Sequence, residues 1–205
     1  MIKLDIKKEL QHLYKPSIKH PELVDVPNMN FLMVDGKGDP NTTPEFQDAV
    51  EALYSLSYTL KFMVKKGPSL IDYKVMPLEG LWWSEDMWEF SVEHKDDWLW
   101  TLMIMQPEFV TDDLFTKALF QVQKKKDLPA LPRVRLESYH EGLSVQIMHV
   151  GPFSDEGPTV AKLHGFIEDE KHERAGKHHE IYLSDPRKAS PDKMKTVIRQ
   201  PVRAK

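Results

Sequence analysis

The sequence predicts an α+β fold: tandem strand–helix–strand–strand repeats with pseudo-twofold symmetry around a central groove able to hold a ligand. Three observations lead there. The stretch FLMVDGKGDPNTTPEFQDAV, residues 31–50, reads as strand, Gly turn, polar loop and helix, and VQIMHVGPFSDEGPTVAKL, residues 145–163, repeats that order. Each helix is then followed by two stretches of strand character, DYKVMPL and WTLMIMQ in the first case, HHEIYLS and KTVIRQ in the second. One helix covers one face of the sheet such a unit makes, so the other face is left to meet its counterpart.

The elements follow in order. Residues 5–14, DIKKELQHLY, predict a short helix or an ordered arm. Residues 27–40 are an apolar strand closing on a Gly-rich turn. The strongest helix spans 42–66: Thr43 can cap it, Pro44 suits its first turn, and Phe46, Val50, Leu53, Leu56, Leu60 and Val64 recur at spacings of three and four. Gly67 and Pro68 stop it. Residues 71–83 and 98–107 predict strands with a polar hairpin near VEHKDD. A second helix, 111–126, has acidic residues first and lysines last, which suits the helix dipole. Strands at 133–139 and 143–151 are joined tightly through Glu141–Gly142. A third helix covers 158–172, and strands follow at 178–185 and 194–200. The domain reading is an arm over 1–27 and one domain over 28–205. Repeat one occupies about 28–106, a connecting helix and strand 111–140, and repeat two about 143–200.

Composition narrows the class. The 205 residues are 40% hydrophobic and 29% charged, enough for a real core. A net charge of −4 shows no nucleic-acid footprint. Cysteine is absent, which excludes disulfide and thiolate chemistry and fits a cytoplasmic protein. No apolar run approaches about 20 residues, so no membrane span is expected.

All five tryptophans fall between Trp82 and Trp100, and the chain holds ten methionines. Such rings form either a heavy core or walls for a flat ligand. Side chains alternate along a strand, so in HEIYLS Ile181 and Leu183 share one face and Glu180 and Tyr182 the other. The aliphatic pair is expected to meet the helix, leaving Glu180 and Tyr182 to the groove. A carboxylate there needs a partner. Trp82, Trp83, Trp88, Tyr139 and His149 are the remaining candidate ligand-binding residues. His178 and Glu180 share a face, but two ligands do not make a metal site, and no metal or cofactor is expected. DGKGDP lacks the spacing of a phosphate loop, and GLSVQ lacks the closing glycine of a nucleophile elbow.

The segments MHVGPFSDEGPTVAKLHGFI, HHEIYLSDP and YKVMPLEGLWW resemble the GyrI-like small-molecule-binding proteins and the effector-binding domains of multidrug-sensing transcription regulators. The resemblance runs from about Asn28 to Val202. It implies a pocket with an acidic floor ringed by aromatics, the acid at Glu180 and a companion ring at Tyr182. Some 28 residues precede the first strand, too few for a helix-turn-helix domain, so a stand-alone member is expected. Similar stand-alone members bind aromatic or cationic drugs, and some hydrolyse cyclopropane-bearing DNA-alkylating compounds. In that chemistry Glu180 would be the general base and Tyr182 its helper. The alternative is a protein-interaction module, for example one protecting a topoisomerase, without catalysis. The sequence leaves oligomeric state open.

Overall fold

A computed structural model describes residues 1–84, 95–185 and 187–205. Among them the chain runs β1 (Ile2–Leu4), α1 (Ile6–Glu9), α2 (Gln11–Tyr14), β2 (Glu22–Lys37), α3 (Pro44–Lys66), β3 (Ile71–Tyr73), β4 (Leu78–Trp83) and β5 (Leu99–Gln106). It continues with α4 (Asp112–Gln123), β6 (Arg135–Val150), α5 (Gly157–Asp169), β7 (His172–Arg174), β8 (His178–Tyr182) and β9 (Lys195–Ala204). The fold is α+β, and the repeat is written in this order. Long strand, helix, short strand, strand, strand occurs as β2-α3-β3-β4-β5 and again as β6-α5-β7-β8-β9. Among the described residues no helix is long and apolar enough to cross a membrane.

The residues group into two compact units. The first holds Met1–Glu9, Met29–Leu78 and Trp83–Tyr139; the second holds Leu10–Asn28, Glu79–Trp82 and His140–Lys205.

In the first unit, β2 and β5 pair antiparallel from Asn30↔Gln106 to Lys37↔Leu99. Helix α3 starts where expected, with Pro44 in its first turn and Thr43 at the N-cap, although the Thr43 hydroxyl makes no capping bond. Thr111 does cap α4, accepting from the Leu114 N–H at 3.3 Å. The arm adds a strand that the sequence reading missed: β1 pairs parallel with β3, Ile2↔Ile71 to Leu4↔Tyr73. Trp100 is core. It is fully buried, meets Phe46 edge-on at 5.4 Å, and lies so close over Gly36 that a Cβ there would stand 2.1 Å from the ring.

One expectation needs correcting. The strands at 133–139 and 143–151 are a single strand, β6. Gly142 adopts φ +72° inside it, a left-handed residue absorbed within a continuing strand and not a chain reversal.

The second unit is organised on β9. It pairs antiparallel with β6, from Ser144↔Pro201 to Val150↔Lys195, and with β8, from His179↔Arg199 to Tyr182↔Thr196. Helix α5 lays Leu163 and Ile167 on Val145, Ile147, Ile198 and Val202, all buried. Each such aliphatic side chain contributes roughly 1.5–3 kcal/mol of burial.

Register then decides which face is which, because directly paired residues share a face. Glu180 pairs with Ile198 and Tyr182 with Thr196, and Ile198 belongs to the core under α5. Glu180 and Tyr182 therefore lie on the α5 side, and His179 and Ile181 on the reverse. The alternation along β8 is as read, but its sides are exchanged. The physical reason lies in α5, whose apolar residues rest on β6 and β9. At β8 the even face meets the polar turn that precedes the helix, while the odd face is closed by the charged network described below.

Candidate functional site

Within the second unit, β4 and β8 bring Trp82, Glu180 and Tyr182 together. The Tyr182 hydroxyl donates to Glu180 Oε2 at 2.7 Å and accepts from Trp82 Nε1 at 3.0 Å. His178 Nε2 meets Glu180 Oε1 at 3.2 Å. Gly80 makes the arrangement feasible: a Cβ there would stand 2.7 Å from Trp82 Nε1 and 3.1 Å from the Tyr182 oxygen. The Glu180 side chain is largely buried, at 18% exposure.

The turn before α5 closes over this group. Phe153 meets Tyr182 edge-on at 5.6 Å. Glu156, 8% exposed, lies against Glu180 and Thr196. Burial, and then the Glu180 charge, push Glu156 up to about 9. Burial acts on Glu180 in the same sense, but contacts with His178, Tyr182 and Glu156 outweigh it and hold that carboxyl below its ordinary value. The pair therefore carries one proton at neutral pH, on Glu156, and one negative charge, on Glu180. Burial and the adjacent carboxylate also raise the Tyr182 phenol, so it stays a donor.

The reverse face of β8 carries a closed set of buried charges. His179 donates from Nδ1 to Glu141 Oε1 at 2.9 Å and from Nε2 to Glu79 Oε2 at 3.0 Å. The Tyr14 hydroxyl donates to Glu79 Oε1 at 2.8 Å. Arg199 donates to Glu141 Oε2 at 3.1 Å, to Gln146 Oε1 at 3.0 Å and to the Leu13 carbonyl at 2.7 Å. Gln146 Nε2 in turn donates to the His12 carbonyl at 2.6 Å. Burial alone would lower His179, but the charge and hydrogen bond of Glu141, with Glu79, raise it to about 9. Glu141 is held at about 2 against its burial by His179 and Arg199. Two carboxylates face one imidazolium and one guanidinium, so the cluster is neutral. It clamps α2, β4, β6, β8 and β9 directly behind Glu180.

Three other sequence candidates fall on described residues. Both ring nitrogens of His149 are engaged by the turn before α5: Nδ1 accepts from the Thr159 hydroxyl at 2.9 Å and Nε2–H donates to the Pro152 carbonyl at 3.2 Å. Trp83 and Tyr139 belong to the first unit, where Tyr139 meets Phe31 edge-on at 6.4 Å. Trp88 lies outside the described residues. Glu156 and Phe153 were missed. A carboxylate just before a helix reads as an ionised cap residue, and nothing local marks Glu156 as neutral. Among the described residues no group of three or more His, Cys, Asp or Glu could hold a metal ion.

The chain belongs to the GyrI-like small molecule binding domain family, whose profile matches residues 19–203. It is 48% identical to an uncharacterized conserved protein from Listeria innocua, over 98% of this chain and 100% of that one, with a TM-score of 0.90. A structure described as a hydrolase from Listeria innocua is likewise 48% identical over 98% of this chain and 100% of that chain, with a TM-score of 0.88. The C-terminal domain of EcmrR shares the fold at 12% identity, over 91% of this chain and 98% of that one, with a TM-score of 0.56. No curated protein matches the sequence.

Proposed function

We propose that this protein binds bulky aromatic, often cationic, small molecules at Glu180, Tyr182 and Trp82, and hydrolyses those that carry a strained, carbonyl-conjugated cyclopropane. The observation that carries this reading is the hydrogen-bonded chain from Trp82 through Tyr182 to Glu180. It presents an ionised, largely buried carboxylate beside aromatic rings. A cation placed there gains the carboxylate charge, and a ring face adds roughly 0.5–2 kcal/mol. In hydrolysis, water attacks a cyclopropane carbon and a C–C bond of the ring breaks. The electron pair passes to the conjugated carbonyl oxygen, which takes a proton from solvent. Glu180 removes the proton of the attacking water, oriented by Tyr182. The relative described as a hydrolase supports an activity of this class.

The test uses two compounds, a cyclopropane alkylator and an inert flat aromatic cation. Binding of both with ring-opened product from the first is the expected result. Binding of both without product removes the catalytic half. Failure of both to bind removes the whole reading.

Trp82 gives a second check. Trp82→Ala deletes the ring and the donor that anchors Tyr182, and should weaken a flat cation by roughly 1–3 kcal/mol, as an aromatic anchor does. Titration by quenching of the remaining tryptophans measures it. Unchanged affinity would make Trp82 a core residue only.

A further inference from the structure

Helix α3 buries Ala49, Ala52, Leu53, Leu56, Leu60 and Val64 along one side. The opposite side of such a helix is ordinarily polar. Here it carries Gln47, Glu51, Tyr54, Tyr58, Phe62 and Lys65, at spacings of four, three, four, four and three. Those steps add to about five turns at 3.6 residues per turn, so the six residues stand in one straight row. The middle of the row is aromatic. Tyr58 is 49% exposed and Phe62 47%. Tyr54 stacks on Tyr58 with ring centroids 6.3 Å apart. Helix α4 packs along α3 and adds the exposed ring of Phe120. Scattered exposed apolar residues need no explanation, but a contiguous aromatic row marks a contact surface.

The charges flanking the rings define what covers them. Glu51 and Lys65 each stand seven residues from Tyr58, and Tyr54 and Phe62 each stand four from it. Lay a second α3 antiparallel on the first, with a two-fold axis at Tyr58. Glu51 then faces Lys65, Tyr54 faces Phe62, and Tyr58 faces its own copy. The row is its own complement in charge and in apolar character, which is what a two-fold interface requires. A parallel arrangement would set Glu51 on Glu51 and Lys65 on Lys65. The ion pairs within the chain leave room for this. Lys65 reaches Asp72 at 2.7 Å, but Lys61 also reaches it at 3.4 Å, so Asp72 keeps a partner when Lys65 turns outward. Glu51 is exposed, with Lys126 at 3.2 Å on one side, and its carboxylate can accept from a second cation. We propose that two copies of this chain associate through α3 as an antiparallel two-fold dimer, with the Tyr54, Tyr58 and Phe62 rings packed together and Glu51 of each copy paired with Lys65 of the other.

Sedimentation equilibrium of the full chain tests it. The wild type should dimerise reversibly as protein concentration rises. Tyr58→Glu sets two carboxylates against each other at the axis and should weaken the dimer by at least about 100-fold. Circular dichroism checks that this variant stays folded. Glu51→Lys and Lys65→Glu test the register, and decide the matter alone if Tyr58→Glu misfolds. Each sets like charges together in its own homodimer and should weaken it by about tenfold. An equal mixture of the two variants restores both attractions and should form the mixed dimer about as tightly as the wild type. A wild type that stays monomeric throughout overturns the proposal and leaves the row to a partner of another kind. A dimer that survives Tyr58→Glu overturns it as well, because another face then joins the copies. A mixture that associates no better than either variant alone overturns the antiparallel pairing on which it rests.

Discussion

Arg199→Leu is expected to cost about 3–5 kcal/mol of folding stability, a large share of the total for a domain of this size. Arg199 is 1% exposed and bonds to Glu141, Gln146 and the Leu13 carbonyl. Leucine fills part of the space but satisfies none of them. Glu141 is left buried with His179 as its remaining ionic partner, and the Leu13 carbonyl loses its donor. Urea unfolding should show a lower midpoint with a similar slope. A loss below about 1 kcal/mol would contradict the closed network. Adding Glu141→Leu to Arg199→Leu should cost less than the sum of the two single changes, because the second removes a charge the first left stranded.

The same network predicts a pH dependence. His179 is raised to about 9 from an ordinary value of 6.5, so its contribution is complete below 6.5 and is lost as pH rises through 9. The loss is on the order of 3 kcal/mol, at about 1.4 kcal/mol per pH unit. Glu141 is lowered to about 2 from 4.5, so its contribution is complete above 4.5 and is lost as pH falls toward 2. Glu156, raised to about 9 from 4.5, contributes fully below 4.5 and loses that contribution steadily as pH rises from 4.5 through 9. The network's share is therefore the difference between wild-type and His179→Gln stability curves. That difference should shrink above 6.5 and be nearly gone past 9. A constant difference across this window would mean that His179 is neutral in the folded protein.

Glu180→Gln is expected to abolish hydrolysis, a fall of at least about 100-fold, because an amide cannot act as general base at neutral pH. It should weaken cationic aromatics far more than neutral ones of the same outline, since shape is kept and charge removed. Stability should fall modestly at neutral pH, because contacts with His178, Tyr182 and Glu156 favour the ionised carboxylate in the folded chain and the amide replaces only part of them. Product formation, paired dye titrations and thermal melting read the three effects. Equal losses for charged and neutral ligands would make Glu180 a structural residue. Full retention of both would end its assignment to the site.

Much of this was legible in the residues. The order of the repeat, the α3 and α4 helices and the pairing of Glu180 with Tyr182 all follow from spacing and turn chemistry. Less local features were not. Gly142 reads as a turn because glycine permits one, yet β6 continues through it. Trp100 and Trp82 look alike in sequence, but one packs over Gly36 and the other donates to Tyr182.

The sequence by itself determined the element order and the alternation that sets Glu180 and Tyr182 against His179 and Ile181, because both are local properties of the backbone. Only the tertiary structure decided which of those faces α5 would share. Alternation has a period but no sign, and the side is chosen by the β8–β9 register and by where the helix lands. It also decided the chemistry. Glu156 is neutral because the chain brings it against Glu180 in a buried place, and Arg199 is tolerated because its partners arrive from as far away as Leu13. An ionisable group takes its charge state from its surroundings, and those surroundings exist only once distant segments have met.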